Sequence, residues 1–165
     1  VFVSGDIGCY TLGAAAPLQA IDACVCMGAS VSGAHGYCKG VGPEKGKATV
    51  AVIGDSTFIH SGITGLIDVA YNQGNTVTII MDNSITGMTG HQQNPTTGYT
   101  IKGDPTSAVD LEALVKAIGI KRVTVVDPYD IEATIQRFLL PIRPNRKRQR
   151  VSVSTCVVSF NYRLA

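Results

Sequence analysis

The chain has 165 residues, of which 45% are hydrophobic and 18 are glycine, which fits one globular domain and excludes a disordered chain. Its net charge is +2, but residues 141–165 hold six basic residues and no acidic one, so the other 140 residues carry −4. This distribution gives the main part of the chain no basic face for nucleic acid, and no apolar run reaches the roughly 18 residues that cross a bilayer.

The first elements in chain order are a strand, a glycine-rich corner and a helix. Val1 to Ser4 predicts the strand, and Gly5 to Gly13 predicts a corner where backbone can approach a ligand closely. Small residues from Met27 to Tyr37 indicate the helix, and a loop follows from Gly40 to Lys47. Because the chain opens directly on a strand, we expect it to be a fragment. No signal-like segment follows Val1, so we expect a cytoplasmic protein with no membrane partner.

The middle of the chain alternates strands with helices. Apolar runs from Ala48 to Ile53 and from Thr76 to Met81 predict two buried strands. Between them, the apolar residues of Phe58 to Asn72 fall on a single helical face: Ile59, Ile63, Leu66, Ile67 and Ala70. A long segment without periodicity, Ser84 to Pro105, predicts a functional loop, because such loops are uncommon inside compact domains.

The last elements complete the prediction of the fold class. Helical spacing returns from Leu111 to Ile118, a short strand follows from Arg122 to Val126, and Ile131 to Leu140 suggests one more helix. Strands that alternate with helices predict an α/β fold with a mainly parallel sheet and helices on both faces. We therefore assign residues 1–140 to one domain.

Residues 141–165 are interpreted as an atypical basic C-terminal tail. Five basic residues fall between Pro141 and Arg150, which favours a solvated segment over a nucleic-acid-binding one. The change of composition has three alternative explanations: an unusual end, a truncated chain or a reading-frame error. We expect the tail to be dispensable for folding and cofactor binding, unless Val151 to Phe160, which alternates like a strand, pairs at a sheet edge.

Two polar corners follow the two buried strands of the middle region. Gly54-Asp55-Ser56 comes after the first strand, and Asp82-Asn83 comes after the second. Parallel strands joined by a crossover helix place both corners at one sheet edge, where ligands bind in open α/β sheets. Carboxylate and amide oxygens suit Mg²⁺, and the helix after Ser56 directs backbone N–H groups toward an anion. The corners predict a site for a metal-bound diphosphate, although Asp55 alone would equally suit a helix cap.

Several ordered segments resemble one enzyme family. Gly54-Asp55-Ser56 with Asp82-Asn83 resembles the Gly-Asp-X to Asn motif of thiamine diphosphate (TPP) enzymes. The segments GDIGCYTLG (5–13) and NSITGMTGHQ (83–92) extend this resemblance to the TPP domain of 2-oxoacid:ferredoxin oxidoreductases. The run DACVCMGAS (22–30) is most similar to the alpha subunits of indolepyruvate ferredoxin oxidoreductases. The resemblance extends from about Val3 to about Ile131.

The resemblance implies a set of cofactor and metal ligands. Asp55, Asn83 and the backbone carbonyl of Ile85 would bind Mg²⁺. Nine residues would contact the cofactor: Gly8, Cys9, Gly54, Asp55, Ser56, Thr57, Asn83, Gly87 and Met88. Ser56 and Thr57 would also suit an ordinary turn, and a tight turn explains the small residues Gly8 and Cys9 nearly as well.

The resemblance also implies a reaction and its partners. The enzyme would oxidatively decarboxylate an aryl 2-oxo acid, such as indolepyruvate, to an acyl-CoA, with ferredoxin as electron acceptor. The resemblance implies that the activating glutamate lies on a separate pyrimidine-binding domain. Glu44, Glu112 and Glu132 match no such motif, so we expect this glutamate to be missing from the chain. We therefore assign no catalytic residue here and expect the isolated chain to be inactive. Iron–sulfur clusters are expected only in missing regions or in a partner subunit.

Two alternatives to this function remain. The first is another TPP-dependent 2-oxoacid oxidoreductase or decarboxylase, and the second is a non-catalytic cofactor-binding fragment.

Cysteine and histidine residues complete the list of reactive side chains. The five cysteines form no C-x-x-C pair, so Cys24, Cys26 and Cys38 are expected to be reduced, buried thiols. His91, in the long loop, is a candidate for the pocket. His60 is expected to be a partly exposed or hydrogen-bonded helix residue. The remaining histidine, His35, is expected to be structural.

Overall fold

The computed structural model describes residues 1–42, 46–142 and 154–159. These residues form one sheet of six strands: β1 (Phe2–Gly5), β2 (Ala23–Cys24), β3 (Thr49–Gly54), β4 (Val77–Asp82), β5 (Arg122–Val126) and β6 (Ser154–Ser159). The order across the sheet is β2-β1-β3-β4-β6-β5, and every neighbouring pair is parallel. The predicted α/β class with a mainly parallel sheet is thereby confirmed.

Helices fill the connections between the strands. The α-helices are α1 (Ala29–Gly40), α2 (Asp55–Thr57), α3 (Ile63–Tyr71), α4 (Leu111–Ala117) and α5 (Ile131–Ile142). A π-helical turn, Phe58–Gly62, joins α2 to α3, and 3₁₀ helices span Cys9–Ala14 and Gly46–Ala48. None of the described helices is long and apolar enough to cross a membrane.

The core lies between the central strands and the helices α1, α3 and α4. Its fully buried members come from alternate strand positions, from one face of each helix and from the π-helical turn: Val31, Ala34, Ala51, Ile53, Phe58, Leu66, Val69, Ile80 and Val115. Gly65 allows α3 to lie tightly on α1, because a Cβ there would come within 3.2 Å of the backbone nitrogen of Ser32. Of the apolar residues that predicted the helix after β3, Leu66 is buried and Ile59, Ile63 and Ala70 pack partly buried against the core, whereas Ile67 is exposed.

Most predicted elements agree with the structure to within a few residues. The helix predicted from Phe58 begins earlier, at Asp55, and the two-residue strand β2 was not predicted. Ser84 to Pro105 contains no helix or extended strand and is held by two isolated bridges, Thr86 with Gln92 and Tyr99 with Pro105. Part of the predicted loop from Gly40 to Lys47, residues 43–45, lies outside the described residues.

The C-terminal strand β6 occupies an internal position in the sheet. It pairs with β4 through residues such as Val77 and Ser154, and with β5 through Arg122 and the same Ser154. These six residues therefore differ from the expected tail, because they are paired on both sides rather than free or at an edge. The basic residues from 143 to 150 lie outside the described residues, and the domain boundary at residue 140 stays a prediction.

Candidate functional site

A cleft of about 350 Å³ opens at the carboxyl ends of β1, β3 and β4. Its lining comes from the corner after β1, the helix start after β3 and the loop after β4. It brings together all ten residues predicted to bind cofactor or metal: Gly8, Cys9, Gly54, Asp55, Ser56, Thr57, Asn83, Ile85, Gly87 and Met88. The predicted convergence at one sheet edge therefore occurs, and the individual roles of these residues stay predictions.

Asp55 is the most deeply buried charged residue of this lining, with 2% of its surface exposed. It begins α2 directly after β3, and its Oδ2 accepts hydrogen bonds from Thr96 Oγ1 at 2.7 Å and from Asn94 Nδ2 at 3.2 Å. Burial raises the pKa of the Asp55 carboxyl, the bonds from Thr96 and Asn94 lower it, and the nearby Asp82 raises it. Among the described residues, no cationic side chain forms an ion pair with it.

The second corner turns sharply after β4. In the sheet, Gly54 pairs with Met81, so the neighbouring strands β3 and β4 end side by side and the two polar corners begin next to each other. Asp82 Oδ1 accepts from the backbone N–H of Ser84 at 2.8 Å, and Asn83 Oδ1 accepts from that of Ile85 at 3.3 Å. These local bonds stabilise the turn that carries Asn83 and the Ile85 backbone into the cleft.

The two corners are also joined through side chains. Ser56 and Thr86 hydroxyls lie 2.8 Å apart, which ties the start of α2 to the loop after β4. Hydroxyls and the backbone N–H groups of this turn are suitable donors for phosphate oxygens. This side of the cleft therefore matches the position expected for a diphosphate.

Tyr10 is a cleft residue that the sequence analysis missed. Its hydroxyl accepts a hydrogen bond from the backbone N–H of Gly54 at 2.9 Å, and burial raises the pKa of this phenol, while the Gly54 bond lowers it. The ring lies so close to Gly8 that a Cβ there would come within 2.4 Å of it. Gly8 is thus required by the packing of Tyr10, a reason that the sequence pattern did not reveal.

A buried carboxylate, Asp6, holds the corner after β1. It is fully buried and accepts from the backbone N–H of Gly28 at 2.8 Å and from the hydroxyl of Ser30 at 3.0 Å. Gly28 has a φ of 88°, and a Cβ at this position would lie 2.3 Å from the Cβ of Ser61. Asp6 thereby connects the corner after β1 to the start of α1, and Gly28 lies against Ser61 of the π-helical turn.

The structure separates the three histidines. His60, on the π-helical turn, lines the cleft, and its Nδ1 lies 2.6 Å from the hydroxyl of Ser61. The candidate His91 is exposed and is not among the residues that line the cleft. His35 is buried beside Asp68, with 3.7 Å between Nε2 and Oδ2, which agrees with a structural role.

The expectation of buried thiols is wrong for two of the three cysteines. Cys24 and Cys26 are exposed: Cys24 ends β2, a two-residue strand at the sheet edge, and Cys26 follows this strand. Cys38 is buried, and its Sγ donates to the carbonyl of Gly46 at 3.3 Å. All three are free of disulfides, as is the exposed Cys9 in the cleft.

The donor set of the cleft fits Mg²⁺ with a diphosphate rather than a softer metal. The described residues hold no group of three or more His, Cys, Asp or Glu side chains that could bind a metal ion. One carboxylate, one amide and nearby carbonyls supply hard oxygen ligands, and Mg²⁺ commonly takes its remaining ligands from water and phosphate. The buried carboxylate without a cationic partner is the feature that such an ion would compensate.

Comparisons with known proteins give a consistent result. The sequence profile described as "Thiamine pyrophosphate enzyme, C-terminal TPP binding domain" matches residues 6–153. Indolepyruvate oxidoreductase subunit IorA from Archaeoglobus fulgidus is 46% identical over 130 residues, which cover 79% of this chain and 20% of that protein. The same subunit from Pyrococcus horikoshii is 44% identical over 142 residues, covering 79% and 22%. The chain therefore spans about a fifth of the length of these relatives.

A solved structure shows the same fold. 2-Oxoglutarate:ferredoxin oxidoreductase from Magnetococcus marinus, with 2-oxoglutarate, coenzyme A and succinyl-CoA bound, matches 98% of this chain and 56% of its own. The TM-score is 0.77 at 16% sequence identity. Together with the sequence matches, this confirms the resemblance recognised from the corner motifs.

Proposed function

We propose that the cleft binds TPP together with Mg²⁺, because the chain belongs to the family of C-terminal TPP-binding domains of thiamine pyrophosphate enzymes. The observation that carries this proposal is the buried Asp55 carboxylate, which lines the cleft beside Asn83 and has no cationic partner among the described residues. A divalent cation between this carboxylate and a diphosphate would compensate both charges.

Each side of the cleft has its own part in this proposal. Asp55, the Asn83 amide oxygen and the Ile85 carbonyl would hold the metal ion. The diphosphate would lie against hydroxyl and backbone donors from the two corners, namely Ser56, Thr57, Gly87 and Met88. Gly8, Cys9 and Gly54 would border the cofactor on the side of β1. When bound, TPP supplies the electron sink for decarboxylation of a 2-oxo acid.

For the whole protein, we propose the reaction of the indolepyruvate relatives. An aryl 2-oxo acid and coenzyme A would give an acyl-CoA, CO₂, one proton and two electrons, and ferredoxin would accept the electrons through iron–sulfur clusters. The support is the identity of 46% and 44% to subunits named for indolepyruvate. Because these relatives are about five times longer, the clusters, the pyrimidine-binding domain and the partner subunit are proposed to lie outside this chain. We propose a cytoplasmic location and no activity for the isolated chain.

Calorimetry with TPP, in the presence and absence of Mg²⁺, tests the proposal. We expect tight binding only with metal, and Asp55→Ala should weaken it by about 100-fold or more, since even outer-shell losses cost ~10–100-fold. Asp104→Ala is the matched control, because Asp104 is an exposed carboxylate of the long loop and should bind like the wild type. Equal binding with and without Mg²⁺, or unchanged binding by Asp55→Ala, would refute the assignment.

A further inference from the structure

We infer that Asn94 and Thr96 are positioning residues for the metal ligand Asp55, an inference that rests on the proposed function and extends it. Both belong to the long loop after β4, and both are almost completely buried, with 9% and 8% of their surface exposed. Two buried polar side chains in an otherwise exposed loop require partners inside the protein. Their common partner is the carboxylate of Asp55.

The hydrogen bonds fix which end of the Asn94 amide faces Asp55. Asn94 Oδ1 accepts from the backbone N–H of Thr96 at 2.7 Å, so this end of the amide is occupied as an acceptor. The Nδ2 end then donates to Asp55 Oδ2 at 3.2 Å and reaches Thr86 Oγ1 at 3.4 Å. An amide reversed at this site would place its NH₂ group against the N–H of Thr96 and would lose these bonds.

The hydroxyl of Thr96 completes the arrangement. It lies 2.7 Å from Asp55 Oδ2 and 2.6 Å from Asn94 Oδ1, and it has one proton to donate. An ionised carboxylate is the stronger acceptor, and the Asn94 oxygen already receives the backbone N–H, so the proton goes to Asp55. Both side-chain bonds therefore end on a single carboxylate oxygen, Oδ2.

Side-chain hydrogen bonds to Oδ2 alone orient the carboxylate and leave its other oxygen, Oδ1, available to a metal ion. The bonds fix the plane of the Asp55 carboxylate, while no side chain of the described residues donates to Oδ1. Ligating carboxylates are commonly held by such outer hydrogen bonds, and the loss of an outer partner typically weakens metal binding. The long loop thus contributes to the metal site without providing a direct ligand from Asn94 or Thr96.

The test compares three threonine variants of the 165-residue chain. Thr96→Val removes the hydroxyl while keeping the shape of the side chain, and Thr96→Ser keeps the hydroxyl. Thr100→Val is the matched control, because the Thr100 hydroxyl accepts only from the backbone N–H of Asp104 within the same loop. Mn²⁺ binding with saturating TPP is followed by the electron paramagnetic resonance signal of free Mn²⁺, and thermal unfolding is followed without metal.

We expect Thr96→Val to weaken Mn²⁺ binding by about 10–100-fold. Thr96→Ser should restore most of the affinity, and Thr100→Val should leave it unchanged. TPP binding without metal should be the same in all four proteins. Asn94→Ala serves as a second variant in case Thr96→Val does not fold, and it should show a loss of the same order.

Two results would overturn the inference while leaving the proposed function intact. The first is wild-type Mn²⁺ affinity in folded Thr96→Val or Asn94→Ala. The second is a lower unfolding temperature without metal but no change in Mn²⁺ affinity, which would assign these residues to loop stability alone. If the wild-type chain binds no Mn²⁺ with TPP, the proposed function fails, and this inference fails with it.

Discussion

Replacement of Asp6 by asparagine should destabilise the whole domain, although this residue is not a proposed ligand. Asp6 is fully buried and accepts from four donors: the backbone N–H groups of Ile7, Gly28 and Ser30 and the Ser30 hydroxyl. An asparagine has the same shape, but its NH₂ group replaces one accepting oxygen. Whichever oxygen is replaced, the NH₂ group points at a backbone N–H that was a hydrogen-bond donor.

The magnitude follows from the less costly orientation of that amide. With NH₂ at the Oδ1 position, the N–H of Ile7 loses its acceptor, while Gly28 and Ser30 can still donate to the remaining oxygen. An unsatisfied buried donor costs ~1–3 kcal/mol, and the part-buried N–H of Ile7 lies toward the lower end of this range. The remaining bonds also lose their charge assistance, so we expect a total loss of about 1–3 kcal/mol. For a chain of this size, that loss lowers the unfolding temperature by roughly 2–12 °C.

Thermal and urea unfolding of Asp6→Asn measure this loss directly. Asp104→Asn is the control, because it makes the same chemical change on an exposed loop residue, and it should stay within about 0.5 kcal/mol of the wild type. If Asp6→Asn also stays within this range, the buried bonds of Asp6 do not hold the corner after β1, and the reasoning above is wrong.

Two further predictions follow from the fold and the cleft. Truncation after Ile142 removes β6, so the chain should lose its cooperative thermal transition, whereas an unchanged transition would show that the sheet does not require this strand. Because burial raises the pKa of Tyr10, an ultraviolet titration should show a phenol ionisation at unusually high pH, and Tyr10→Phe should remove it. Because burial raises the pKa of Tyr10 in the folded state, the folded state should lose stability as the pH rises above about 10, the ordinary pKa of a phenol, whereas the bond from Gly54 favours the ionised oxygen and opposes this loss.

The site was largely predictable because its main residues lie in two local motifs. Gly54-Asp55-Ser56 and Asp82-Asn83 each follow an apolar strand, and the rule for parallel strands places both at one edge of the sheet. The structure confirms this convergence. Asn94 and Thr96 could not be predicted in the same way, because an irregular loop has no periodicity that relates its side chains to a strand 39 residues earlier.

Local patterns could not specify pairing between segments that are distant in sequence. The alternation from Val151 to Phe160 indicated a strand that could pair at a sheet edge, but not that β6 lies between β4 and β5. Similarly, cysteines are typical core residues, but Cys24 lies on the edge strand β2 and is exposed, as is Cys26 after it. Burial of a short strand depends on its neighbours in the sheet rather than on its own residues.

The internal position of β6 also has a consequence for how the protein is made. During translation, β5 leaves the ribosome before β6, yet β6 is its one neighbour in the described sheet. Until residue 159 has emerged, β4 is an unpaired edge strand and β5 lacks the strand with which it pairs in the folded sheet. Unpaired strand edges favour aggregation. Both corners of the cleft are therefore synthesised before the sheet beside them can be completed.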